Sequence, residues 1–218
     1  MNTEPVNVVV LISGRGSNLQ SIIDQTQAGE LPIRICAVIS NCADAYGLVR
    51  AQKAGITTHV LDHRPFASRD EYDGALRELI DRYDPQLVVL AGFMRVLEAT
   101  FCNHYAGRLM NIHPSLLPAF PGLDTHERVL DAGSRIHGAT VHFVVPEVDA
   151  GPIIVQATVP VLAGDTPERL AERVLKQEHR IFPLAIRWFA EGRLQVDSRR
   201  VLLDGEQHPE QGLARERS

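Results

Sequence analysis

The amino-acid sequence predicts an α/β fold: a doubly wound, mostly parallel sheet flanked by helices, with a Rossmann-like N-terminal half. Two observations carry this. Residues 6–12, 33–39 and 87–90 are short, continuous, β-branched apolar runs, the pattern of strands covered on both faces. Between them lie amphipathic stretches at 18–28, 46–54 and 68–83, and strand-helix alternation of this kind builds a parallel sheet.

The first run feeds directly into Ser13-Gly-Arg-Gly-Ser-Asn-Leu19, which opens a helix. Its glycines permit a tight turn that gathers backbone N–H groups, and the helix start adds its positive end, so the loop can cradle an anion. Ser17 and Asn18 add side-chain donors. As a dinucleotide fingerprint it falls short, because Leu19 stands where a third glycine belongs and the second run ends Ile39-Ser40-Asn41 without an acid. No Lys-Ser/Thr follows it, so it is not a Walker loop. A phosphomonoester site and a bare strand-to-helix turn both remain open here. In the third amphipathic stretch Tyr72, Leu76, Leu79 and Ile80 fall at helical spacing, with Asp, Glu and Arg opposite. Ser68 is a good N-cap, and Glu71 is placed to close a capping box.

Residues 109–113 read as another short strand, followed by a Pro-rich loop at 114–121 and a short helix at 125–132. Two longer strands, 137–145 and 152–161, flank a turn-rich loop. Thr166 then caps a long helix with Leu170, Val174, Ile181, Leu184 and Trp188 as its apolar positions, and Pro183 is placed to kink it. From about Gln207 the chain is polar and reads as a loose tail. With no repeat and no linker-like stretch, a single domain over 1–218 is expected.

Hydrophobic residues at 44% and charged residues at 22% exclude a disordered chain and suffice for a core. A net charge of -5 argues against nucleic acid or an anionic membrane as partner, so a phosphorylated ligand needs a local anion site. No apolar run approaches the ~18 residues of a spanning helix, and the start lacks the basic and apolar regions of a signal peptide. Three cysteines without a CxxC pair read as reduced thiols, so a cytoplasmic location is expected.

Asn111-Ile112-His113-Pro114 is the most informative stretch. Asn111 and His113 are two apart on a strand and share a face; Pro114 keeps His113 extended and ends the strand. The pair thus sits at a carboxyl end, where open α/β sheets bind ligands. An amide that can donate to an oxyanion beside an imidazole that can move a proton suits acyl-type chemistry. A satisfied polar pair terminating a strand remains the alternative. A carboxylate at Asp149 near His113 would favour the imidazolium, although an Asx-turn would equally explain that Asp. The spacings of His113, His137, His142 and Asp149 match no zinc pattern, so no metal is expected. Ser115 follows Pro114 and Cys102 lies on a helix face, so neither forms a nucleophile elbow. Direct transfer in a ternary complex is what remains. Arg69 and Glu178 read as solvated surface charges by default.

Taken together these residues resemble the phosphoribosylglycinamide formyltransferases, folate-dependent enzymes of purine synthesis. The similarity runs from about residue 6 to 212, in six blocks: Ile12-Ser-Gly-Arg-Gly-Ser-Asn-Leu19, Val88-Val-Leu-Ala-Gly-Phe-Met-Arg95, Leu109-Met-Asn-Ile-His-Pro-Ser-Leu-Leu-Pro118, Gly138-Ala-Thr-Val-His-Phe143, Asp149-Ala-Gly-Pro-Ile153 and Gln177-Glu-His179. The resemblance implies the formyltransferase fold and 10-formyltetrahydrofolate as co-substrate, without a metal. It implies that Gly16, Ser17 and Asn18 hold the ribonucleotide phosphate, with Leu175, Lys176, Gln177 and Glu178 on the same substrate. Folate is implied at Arg69, Met94, Arg95, Val96, Leu97, Asn111, Val145, Pro146, Glu147, Val148 and Asp149. Asn111, His113 and Asp149 are implied as catalytic, through a tetrahedral intermediate, and the protein as a monomer or weak homodimer acting on small molecules. Ala119 departs from a Lys common after this Pro, Arg15 stands at a variable loop position, and Asp124 replaces a His of some relatives. Two relatives share the Asn-x-His and Asp set. Methionyl-tRNA formyltransferase adds a C-terminal domain for tRNA, for which this chain has no room. Formyltetrahydrofolate deformylase, which normally carries an N-terminal regulatory domain, is the enzymatic runner-up. A non-catalytic nucleotide-binding module is the reading from another class.

Overall fold

The protein is described by a computed structural model over residues 4–206; the polar tail from 207 and the last six residues of the resemblance lie outside the described residues. The chain divides into two compact units, 1–111 and 112–218, and the division falls within one strand.

In the first unit β1 (Val6–Ile12) lies between β2 (Ile33–Ser40) and β4 (Leu87–Leu90), parallel to both. β3 (Thr58–Val60) pairs parallel with β2, and β5 (Leu109–His113) with β4. Val8 to Ile12 are all fully buried, which requires cover on both faces and explains why the run lacks alternation. Chain order runs outward from β1 to β2 and β3, then returns to β4 on the other side. The β1/β4 boundary is therefore a switch point, where the loops leaving the two strands part and a ligand can enter.

Among the described residues this unit holds four helices: α1 (Ser17–Gln27), α2 (Tyr46–Lys53), α3 (Arg69–Asp81) and α4 (Ala99–His104). Ser68 caps α3 as predicted, its hydroxyl accepting from Glu71 N–H at 3.2 Å. Glu71 reaches back to the N–H of Ala67 at 3.1 Å, one residue earlier than a capping box requires. Two positions on α3 differ from the periodicity. Leu79 is half-buried, and Asp73, which the pattern puts on the polar face, is buried. Its carboxylate accepts the Glu98 N–H at 2.7 Å, just ahead of α4. Burial holds the Asp73 carboxyl above the usual carboxylate range, with that bond opposing.

The second unit takes up the chain at the last two residues of β5. It holds α5 (Thr125–Asp131), an antiparallel pair β6 (Ile136–Phe143) and β7 (Ile153–Pro160), and the long α6 (Pro167–Ala190). Thr166 caps α6 by accepting from Arg169 N–H at 3.4 Å. The helix runs unbroken through buried Pro183. A second hairpin, β8 (Leu194–Asp197) with β9 (Arg200–Leu203), has no counterpart in the sequence reading. Gly138 is the tight point of the first hairpin, because a Cβ there would lie 1.9 Å from the Ala157 carbonyl oxygen. Among the described residues the strand order of the first unit is β3-β2-β1-β4-β5, all parallel, and in the second β6 and β7 form the antiparallel pair. The fold class is the predicted one.

Candidate active site

At the carboxyl end of β1 the chain turns through Ser13 to Gly16 into α1. Gly16 is the N-cap and is left-handed, with φ 68 and ψ 33, a conformation that costs a side-chain-bearing residue about 1 kcal/mol or more. A Cβ there would also lie 2.6 Å from Gly47 Cα, so the position demands glycine. Gly16 has no side chain to cap the helix, and the first turn of α1 carries its positive end. Ser17 is half-buried and Asn18 buried at this end. A compact anion is what such an array can hold.

Ser13 fastens this turn to the chain leaving β4. Its N–H donates to Gly92 O at 3.0 Å. Its hydroxyl donates to Asn41 Oδ1 at 2.6 Å and accepts the Met94 N–H at 2.8 Å. Met94 and Val96 then stand exposed while Leu97 turns into the core. Arg95 lies with its guanidinium 5.1 Å from the centre of the Tyr72 ring on α3. Arg69 is the exposed first residue of that helix. Asn111 lies half-buried on β5, in register with Leu90.

His113 ends β5 and is 6% exposed. Its Nε2 is 3.0 Å from the Phe120 carbonyl oxygen, so this nitrogen carries a proton and donates. Its Nδ1 is 3.4 Å from Asp149 Oδ2. Both ring nitrogens thus face acceptors, and a proton on either has a partner. Asp149 is held in turn: its Oδ2 accepts the Gly122 N–H at 2.8 Å, and its Oδ1 lies 3.8 Å from His142 Nε2. Its backbone is left-handed, φ 53, a region that Asp and Asn tolerate better than other side-chain-bearing residues. Two residues on, a Cβ on Gly151 would lie 1.8 Å from the Phe143 carbonyl oxygen. That close approach folds the loop back over β6 and returns Asp149 to His113.

His142 is the residue that sequence reasoning left without a role. It is 2% exposed, and Nδ1–H donates to Phe143 O at 2.9 Å. Burial holds the ring below the usual histidine range, partly opposed by that bond and by Asp149. Its place opposite the hairpin loop is the one signal that could have paired it with Asp149. Half-buried His126 and buried His137 form a second contact, Nδ1 to Nε2 at 3.0 Å. Burial, and then His126 and His113, push His137 down to about 4. Burial, and then His113, lower His126 as well.

The structure therefore brings His113 and Asp149 together, with His142 added. Of the loop ahead of Asp149, Val145 is half-buried, while Pro146, Glu147 and Val148 are exposed. On α6, Leu175 and Gln177 are half-buried and Lys176 is exposed. Glu178 is 8% exposed, a correction to the default reading of a solvated acid. A buried carboxylate is retained only where partners offset its lost hydration.

The family model for formyl transferases matches residues 6–186. The chain is 54% identical to phosphoribosylglycinamide formyltransferase of Escherichia coli strain K12 over 209 residues, covering 96% of this chain and 99% of that protein. A solved phosphoribosylglycinamide formyltransferase from Coxiella burnetii, in complex with CHES, superimposes with a TM-score of 0.91 at 53% identity, covering 96% and 99% of the two chains. A formyltetrahydrofolate deformylase from Pseudomonas syringae shares the fold at a TM-score of 0.86, with identity down to 28% and 66% of its chain covered.

Proposed function

The chain belongs to the formyl transferase family, and from that premise we propose that it transfers the formyl group of 10-formyltetrahydrofolate to the glycinamide amine of N1-(5-phosphoribosyl)glycinamide. The products are the formylated ribonucleotide and tetrahydrofolate, a step of purine synthesis. The observation that carries the chemistry is the nearly buried His113–Asp149 pair at 3.4 Å, set at a strand end two residues beyond Asn111.

Addition of the amine nitrogen to the formyl carbon places negative charge on the formyl oxygen. Preorganised donors aimed at that oxygen lower the barrier, and one such donor contributes about 3 kcal/mol. Asn111 offers an amide N–H for this role, and the His113 Nε2–H, paired with the Phe120 carbonyl oxygen at 3.0 Å, takes it up by exchanging that partner for the substrate. The proton lost by the attacking nitrogen has to reach the folate nitrogen as the carbon–nitrogen bond to the carrier breaks. Asp149, 3.4 Å from the ring Nδ1, provides a carboxylate for the transfer. His142 Nε2 lies 3.8 Å from the other oxygen of Asp149.

The ribonucleotide phosphate is assigned to the amides and side chains of Gly16, Ser17 and Asn18, and its ribose end to residues 175–178, with Glu178 at the hydroxyls. Exposed Met94 and Val96 suit a flat apolar ring, and the segment through Arg95 and Leu97, with Val145 to Asp149, is assigned to folate. Arg69 provides a cation for the acidic end of the carrier. The partners are small molecules, and no described helix is long and apolar enough to cross a membrane. We place the activity in the cytoplasm, carried out by a monomer or weak homodimer.

The test is folate release from 10-formyltetrahydrofolate, measured with and without the ribonucleotide. Release that requires the ribonucleotide is expected. Equal release without it would make water the acceptor and the protein a deformylase, and no release in either case would leave a binding module.

A further inference from the structure

The structure assigns to Arg50, on α2, the part of a positioning residue for the glycine loop, an inference that rests on the phosphate reading of residues 16–18. Burial does not fix the middle of the loop, since Gly14 and Arg15 are exposed. Their carbonyls are held by the next helix. The Gly47 N–H in the first turn of α2 donates to the Gly14 carbonyl oxygen at 3.0 Å. One turn on, Arg50 Nε–H donates to the Arg15 carbonyl oxygen at 2.9 Å. The same guanidinium is pinned from two further sides. Nη1 donates to Gln20 Oε1 on α1 at 3.0 Å, and its carbon lies 4.9 Å from the centre of the Tyr46 ring.

In a trans peptide the carbonyl and the following N–H point in opposite directions. Fixing the Gly14 and Arg15 carbonyls toward α2 therefore turns the N–H groups of Arg15 and Gly16 away from it. That is the orientation in which successive amides form an anion-binding nest. A flipped Arg15–Gly16 peptide would present its carbonyl oxygen instead and repel a phosphate. Backbone contact makes the docking unforgiving: a Cβ on Gly47 would meet Ile12 Cδ1 at 2.5 Å and Gly16 Cα at 3.2 Å. Gly47 thus brings α2 close enough for Arg50 to reach the loop, and Arg50 sets the peptide that faces the phosphate.

A positioning role for Arg50 differs from a direct charge contact in what the conservative variant does. Lysine keeps the charge and one donor but lacks the fork that spans Arg15 and Gln20. The test uses the full chain, with kcat and KM measured for the ribonucleotide and for glycinamide riboside, which lacks the phosphate. Wild type is expected to favour the ribonucleotide strongly. Arg50→Met is expected to raise KM for the ribonucleotide about tenfold, the loss of one charge-assisted hydrogen bond. KM for 10-formyltetrahydrofolate, and kcat/KM for the riboside, stay at wild-type values. Arg50→Lys falls between, at about threefold. It also serves as the readout should the Met variant fail to fold, as judged by circular dichroism. Undiminished preference for the ribonucleotide in the Met variant, or full rescue by lysine, would overturn the positioning role. No preference in wild type would instead remove the phosphate reading beneath it.

Discussion

Asp149→Asn isolates the charge of the residue that supports His113, because almost everything else about the position survives the change. Asparagine tolerates the left-handed backbone at φ 53, and its amide oxygen can still accept the Gly122 N–H that now lies 2.8 Å from Oδ2. What disappears is the negative charge 3.4 Å from the ring Nδ1, which attracts any positive charge the ring gains during proton transfer. At an effective dielectric near 20 two unit charges at that distance attract by about 5 kcal/mol, an upper bound. The Asp149 side chain retains 11% exposure and the amide dipole recovers part of the interaction, so about 3 kcal/mol is the working figure. That corresponds to a fall in kcat of roughly a hundredfold or somewhat more. The assay is initial-rate folate release at saturating ribonucleotide and formyl donor, alongside urea unfolding to establish that the fold is intact. A variant that unfolds at the wild-type midpoint and turns over within threefold of wild type would refute the role given to the carboxylate. Asp149→Ala is a poorer probe, since it loses the Gly122 acceptor and strains the backbone together.

Three other outcomes follow from geometry already described. Gly151→Ala must push a Cβ into the Phe143 carbonyl oxygen; a stability loss of about 3 kcal/mol by urea titration and a fall in kcat from displacement of Asp149 are expected. Ser68→Ala removes the hydroxyl that caps α3 and should lower the urea midpoint by the equivalent of about 1 kcal/mol without changing the slope. His137 is held near 4 in the folded chain against about 6.5 unfolded. Below pH 6.5 the unfolded chain therefore takes up a proton that the folded chain refuses. Stability is complete above that pH and falls as the solution is acidified toward pH 4, by about 2 kcal/mol from this group. Urea midpoints between pH 7 and 5 should decline less steeply in His137→Gln than in wild type, and parallel slopes would count against it.

What could be read in the chain was local. β1 and β4 announced themselves because strands covered on both faces carry unbroken apolar runs, and α3 because Ser68 and its apolar spacing lie within a few turns. β3, β8 and β9 were missed for the opposite reason. Three or four residues are too few to show a period of their own and become strands only by pairing. Asp73 looked like a surface acid because its partner, the Glu98 N–H, sits beyond the next strand. Glu178 was misread for the same cause, its burial being a property of packing around α6. From the residues the His113–Asp149 contact was one of two readings of Asp149, and only the family resemblance favoured it; what creates it is a loop return forced by Gly151 against Phe143. His142 gained its significance only once that return was visible.

The single hydroxyl of Ser13 bears on how inhibitors of this chain can be tuned. It accepts from the Met94 amide while donating to Asn41, and it sits at the mouth of the glycine loop. The assigned folate segment and the assigned phosphate loop therefore hang from one atom. A bulky group that displaces Met94 is resisted by the loop, and chemical modifications on the folate side will be registered in ribonucleotide affinity. Compounds optimised for one subsite alone would be ranked differently once the other is filled, so structure–activity series on this enzyme are best collected with both substrates' sites accounted for.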